Sequence, residues 1–115
     1  MENEVMQIIV YAGNARSLAM QSIRASKQGD FSEAEHLMTE ARSNLKEAHH
    51  THAKILSAAS DEQTPIDLTL FMVHGEDHLM SAITTIDLAV EFTTVHEELK
   101  ELKKHVTLMK EGERP

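Results

Sequence analysis

His74, Asp77 and His78 stand at i, i+3 and i+4 beside a lone glycine, Gly75, within LFMVHGEDHLMS (70–81). Side chains three and four apart share a helix face, so two imidazoles and a carboxylate occupy a face where the flanking pattern asks for Leu, Met and Val. Two chemistries fit. His-x-x-Asp-His is close to the His-x-x-Glu-His zinc arrangement with a shorter carboxylate; without an obvious third ligand it points to a non-catalytic metal site rather than a protease. Alternatively, a neutral imidazole nitrogen of His74 attacks phosphorus and holds a phosphoryl group as a phosphoramidate, with no metal or coenzyme. That reading asks for space beside the ring, which Gly75 would supply, and for hydrogen-bond donors, for which Ser81, Thr84 and Thr85 are placed further along the helix.

The other histidines are weaker candidates. Glu33 to His36 and Glu47 to His50 both spell Glu-x-x-His, a di-iron spacing, but such sites need the motif from two facing helices. Here both copies fall on one helix, about four turns apart. His36, His96 and His105 fall at or near polar faces and read as solvated. His52 interrupts an apolar stripe and reads as a hydrogen-bonded core histidine. His49 and His50 are ambiguous.

The elements that must carry these residues are helices. Proline occurs only at 65 and 115 and glycine only at 13, 29, 75 and 112, leaving three long stretches free of strong breakers. The first, about 4–28, has Val5, Ile8, Ala12, Ala15, Ala19 and Ile23 at steps of three and four. The small run Ala12-Gly13-Asn14-Ala15 invites close approach of another helix. Gly29 is a good residue to follow a helix end, and Asp30 with Glu33 three positions on resembles a capping box, so a tight hairpin is expected. The second helix, 31–59, has Phe31, Ala34, Leu37, Ala41, Leu45, Ala48, His52, Ile55 and Ala59 in near-heptad spacing, which favours shallow antiparallel packing. The polar segment 60–65 is the one credible loop, with Asp67 as the next cap. The third helix should run from 68 at least to 104 and up to 110, roughly 55 to 65 Å. Its apolar stripe shifts face partway, and a helix apolar on two faces and longer than its neighbours needs partners from another chain. The expected fold is therefore all-α, an up-down-up three-helix bundle forming a homo-oligomer. Residues 1–110 make one domain and 111–115 a frayed tail.

Composition narrows the function. The chain has 115 residues, no cysteine and a net charge of −8, with eleven Lys and Arg against nineteen Asp and Glu. Thiolate chemistry is excluded, and the absence of cysteine suits a cytoplasmic setting. No basic stripe exists for nucleic acid, and four aromatics (Tyr11, Phe31, Phe71, Phe92) offer little for base stacking. The acidic start followed by a short apolar run, 8–12, is neither a signal peptide nor a membrane span.

The stretch 73–80, VHGEDHLM, resembles the active-site signature of the lactose/cellobiose-type IIA components of the bacterial sugar phosphotransferase system. Residues 11–17 (YAGNARS), the Gly29-Asp30-Phe31 turn and Glu47-Ala48-His49 are similar to the same family at corresponding places, and the likeness spans roughly residues 4 to 92. It implies a homotrimer, a nine-helix bundle, in which His74 accepts a phosphoryl group from the histidine phosphocarrier protein. From there the group passes to a cysteine of the sugar-specific IIB component, and the membrane IIC component couples it to uptake of a β-linked disaccharide. The resemblance further implies that Asp77 faces the threefold axis and holds a shared divalent cation. Three converging carboxylates need a cation or protons, and oxygen-only ligation favours Mg²⁺ over zinc. His78 is expected to position His74 rather than carry phosphate. Members more commonly have Gln where this chain has Glu76, and a carboxylate there would repel the phosphate unless it points away or is paired. The competing expectation is a non-catalytic helical oligomer that binds a metal or a protein through the His74-Asp77-His78 face.

Overall fold

The computed structural model describes residues 2–59 and 70–113. Three helices run in succession: α1 (Glu2–Lys27), α2 (Phe31–Ala59) and α3 (Leu70–Gly112). The loop expected over 60–65, the cap at Asp67 and the helix start at Leu68 lie outside the described residues. The α1–α2 hairpin is the expected one. Gly29 takes φ 82°, the left-handed region where a Cβ is costly. Gly29 N–H donates to the Ser26 carbonyl and Asp30 N–H to the Ala25 carbonyl, both at 3.0 Å, which completes a Schellman stop. Asp30 then caps α2 by accepting from the Glu33 N–H at 3.2 Å.

Helix α1 is central and packs along both others, whereas α2 and α3 meet each other more sparingly. Its buried line is a clean heptad: Val5, Ile8, Ala12, Ala15, Ala19, Ser22 and Ser26. The expected Ile23 is only half-buried, because continuing the three-four step from Ala19 lands on Ser22. That hydroxyl is satisfied by donating to the Ala34 carbonyl of α2 at 2.8 Å, and Ser26 donates back to the Ser22 carbonyl at 2.9 Å. The core is thus alanine-rich with a hydrogen-bonded polar end, which lets the helices approach closely. On α2 the stripe is rotated slightly from expectation: Met38 is buried rather than Leu37, and Thr51 rather than His52.

On α3 only Gly75, Leu79, Ala82, Ile86 and Ala89 are buried. At about 1.5 Å per residue its 43 residues span about 65 Å, well beyond the hairpin formed by the shorter α1 and α2. Lys100 lies over the Phe31 ring, 5.3 Å from its centroid, at the hairpin end, and every residue from 97 to 113 is exposed. The helix continues through Gly112, two residues into the expected frayed tail. Along its outer side Val73, Met80, Leu88, Val95, Leu102, Val106 and Met109 are all exposed apolar residues. Residues eighteen apart are five turns apart and point the same way. Val95 therefore repeats the direction of Asp77, and Met109 that of Val73. The apolar line of the C-terminal half and the Asp77 line are one face.

Candidate functional site

The site is built on the first three turns of α3. Gly75 is buried there, and a Cβ placed on it would meet Val5 Cγ1 at 3.1 Å and the Val5 carbonyl oxygen at 3.7 Å. The glycine is thus the contact where α3 sits down on α1. It does not supply open space beside the His74 ring, as the spacing alone invited one to expect; it seats the turn that carries the ring.

His74 is exposed and His78 half-buried. Their ring centroids are 4.3 Å apart with planes at 66°, an edge-to-face contact. His78 Nδ1 lies 3.2 Å from the His74 carbonyl oxygen. A carbonyl only accepts, so Nδ1 carries the proton and donates, which sets the tautomer and leaves Nε2 as the ring's free nitrogen. His78 is thereby fixed by the backbone of the very residue whose ring it braces. The donors expected along the helix are not assembled at His74: Thr85 gives its hydroxyl proton to the Ser81 carbonyl at 2.7 Å, and Thr84 is exposed.

Asp77 is exposed on a different side of α3, between Val73 and Met80. It lines two adjoining grooves. One, of about 750 Å³, is formed with Leu70, Phe71, Val73 and His74; the other, of about 550 Å³, with His52, Leu56, Met72, Val73, Glu76 and Met80. Among the described residues no three His, Asp or Glu side chains gather so as to hold a metal. His74 and Asp77 share the first of these grooves, but the three residues His74, Asp77 and His78 are not brought together as a metal-ligand cluster.

Glu76 points away from His74. Its Oε2 accepts a hydrogen bond from His52 Nε2 across the α2–α3 boundary at 2.6 Å. The electrostatic conflict expected of a carboxylate at this position is thus resolved by direction and by pairing. His52 is hydrogen-bonded, as its place on the α2 stripe implied, but it lies half-buried at the α2–α3 boundary rather than in the core, and its partner could not be read from spacing. Of the remaining histidines, His49, His50 and His105 are exposed, and His36 lies 3.2 Å from Glu40 one turn on. His96 departs from expectation: it is half-buried, beside Gly29 and Lys100 at the hairpin end.

An exposed histidine next to the Gly75 contact with α1, edge-braced by a second histidine of fixed tautomer, is suited to holding and passing on a small electrophile. Comparison with known proteins gives the family. The family model for the phosphotransferase-system lactose/cellobiose-specific IIA subunit matches residues 3–97. The lichenan-specific phosphotransferase enzyme IIA component of Bacillus subtilis (strain 168) is 41% identical over 102 residues, covering 88% of this chain and 91% of that protein. In structure the chain resembles the cellobiose-specific enzyme IIA of Bacillus anthracis, with a TM-score of 0.82 and 33% identity over 86% of this chain and 90% of that one. It also resembles the IIA(chitobiose) in its complex with HPr from the Escherichia coli N,N'-diacetylchitobiose branch, with a TM-score of 0.75 and 36% identity over 86% and 95% of the two chains. Among the described residues no helix is long and apolar enough to cross a membrane. With its helical fold, its seated histidine pair and these relatives, the chain belongs to the lactose/cellobiose-specific IIA family, the phosphohistidine-carrying phosphotransferase components of the sugar phosphotransferase system.

Proposed function

We propose that this chain is a cytoplasmic relay that accepts a phosphoryl group on His74 from HPr and passes it to a cysteine of its cognate IIB component, serving uptake of a β-linked disaccharide through the membrane IIC component. The observation that carries this reading is His74 itself, exposed on a turn seated by Gly75 and braced by His78. The relative solved with HPr supports the donor. In the first transfer a lone pair on a His74 ring nitrogen forms a P–N bond as the donor's P–N bond breaks, and the donor leaves as neutral imidazole. In the second, a thiolate of IIB attacks phosphorus. The His74–P bond then breaks, its electron pair returning to the ring. His78 keeps the His74 ring in one orientation through both steps, and Glu76, turned to His52, keeps its charge out of the way.

The working unit is a homotrimer. The outer face of α3 leaves large apolar side chains exposed along more than 50 Å by rise, and a soluble monomer seldom exposes so continuous a strip. From Leu88 to Met109 the strip follows strict heptads, the pattern of parallel helices wound around a common axis. Asp77 lies on the same face, so threefold packing would converge three carboxylates. One chain offers a single carboxylate there, and three such carboxylates, with water completing the shell, would suit a hard divalent cation such as Mg²⁺. When bound, the ion neutralises the converging charge and takes no part in phosphoryl transfer.

The test is intact-protein mass after incubation with phosphoenolpyruvate and the two general phosphotransferase proteins, for wild type and His74→Gln. One acid-labile phosphoryl gain, absent in the variant, is the expected result. No gain on folded wild type, with donor activity confirmed on another acceptor, would replace the relay with a binding role for the bundle.

A further inference from the structure

We propose that His52 and Glu76 are a positioning pair for phosphoryl transfer: His52, acting through Glu76, fixes the rotation of the turn that carries His74. The inference rests on the reading of His74 as the acceptor.

The first turns of α3 are lightly held. Of residues 70–78 only Gly75 is buried, and its contact with Val5 fixes the helix on the α1 side. Phe71 and Met72 pack only partly buried against the core, and with no fully buried side chain among residues 70–78, rotation about the helix axis is the soft motion of this segment. The second tether lies on the α2 side, where α2 and α3 otherwise meet sparingly. His52 Nε2 donates to Glu76 Oε2 at 2.6 Å, in the short range of charge-assisted hydrogen bonds. The ring is firmly placed, with only 17% of the His52 side chain exposed, and Leu56 and Met72 line the same groove. The Glu76 side chain is 46% exposed, so the His52 ring supplies the fixed end of the bond and the carboxylate the partly solvated one.

Glu76 follows His74 by two residues, about 200° around the helix, so it cannot share a ligand with the acceptor ring. A pull on Glu76 nevertheless turns the whole helical segment. A rotation of about 15° moves an atom about 6 Å from the axis by about 1.5 Å, and an error of about 1 Å in a reacting group can cost a factor on the order of 100. Two tethers about 100° apart around the helix, Gly75 against α1 and Glu76 against α2, therefore set the line along which the His74 nitrogen meets phosphorus.

The experiment is single-turnover phosphorylation of the full chain by phosphorylated HPr over a range of donor concentrations. With His52→Ala the rate at saturating donor should fall about tenfold, the scale of one charge-assisted hydrogen bond, while half-saturation stays within about twofold of wild type because no donor contact has been removed. Glu76→Ala should match it, and the double variant should lose no more than either single one. His52→Gln, which still has an N–H to donate, and Glu76→Gln, which still has a carbonyl to accept, should recover most of the rate relative to the alanine variants. Losses that multiply in the double variant, a change confined to half-saturation, or an unaltered rate in both alanine variants would overturn the pairing. A separate reading needs no phosphate: the His74 and His78 ring resonances of the unphosphorylated protein should shift in both alanine variants and return in the Gln variants. Should wild type accept no phosphoryl group, the acceptor reading fails, while unshifted rings in the alanine variants would refute the pair itself.

Discussion

Gly75→Ala offers the sharpest test of how α3 is seated, because two opposed effects act at one atom. In an isolated helix, alanine is favoured over glycine by about 1 kcal/mol. Here the added methyl would lie 3.1 Å from Val5 Cγ1, inside the roughly 3.5–4.0 Å at which carbon atoms pack comfortably. Val5 cannot easily turn aside: it is buried and β-branched, with one strongly preferred helical rotamer. Overpacking of this kind costs about 1–3 kcal/mol, so the net effect should be a loss of about 1 kcal/mol despite the better helix former. Gly13→Ala is the internal control, since nothing lies within 4 Å of a Cβ at that mid-helix position. It should gain up to about 1 kcal/mol. Urea unfolding at one fixed protein concentration reads both, as assembly makes stability concentration-dependent. A third variant, Val5→Ala with Gly75→Ala, should show favourable coupling because the smaller neighbour removes the clash. If Gly75→Ala stabilises as much as Gly13→Ala does, the glycine is not a packing contact and the seating of His74 argued above is wrong.

Two further predictions concern assembly. Asp77→Leu replaces an exposed carboxylate within an apolar face, so sedimentation should show a trimer at least as stable as wild type and no longer responsive to Mg²⁺ or chelator; dissociation to monomers would mean that Asp77 does not face the axis. Leu102→Glu lies beyond the intrachain core, where the wild-type side chain is 58% exposed, so each chain should keep its helicity. Burial of that leucine in the assembly is worth about 1.5–3 kcal/mol per chain, and the variant should dissociate at concentrations where wild type stays trimeric; unchanged assembly would show that the C-terminal heptads are not part of the interface.

Residues acting through their immediate neighbours were legible in the sequence. The three-four steps of α1 and α2, the Gly29-Asp30 stop and restart, and the placement of His74 and His78 on one face depend on helix geometry and capping, which operate within a turn or two of chain. The length of α3 and its displaced apolar strip were likewise legible in the spacing of its residues. Tertiary structure alone decided what those faces meet. Gly75 read as room for a ring and proved to be the point of contact with Val5, because which neighbour fills a glycine's missing side chain depends on another helix. Ser22 follows from the three-four step, but the Ala34 carbonyl that satisfies its buried hydroxyl belongs to another helix. Glu76, unresolved as a charge beside the acceptor, found His52 at 24 residues' separation. Sequence spacing fixes directions around a helix axis, whereas distances between axes, and so every contact that seats the acceptor turn, arise only when the helices pack.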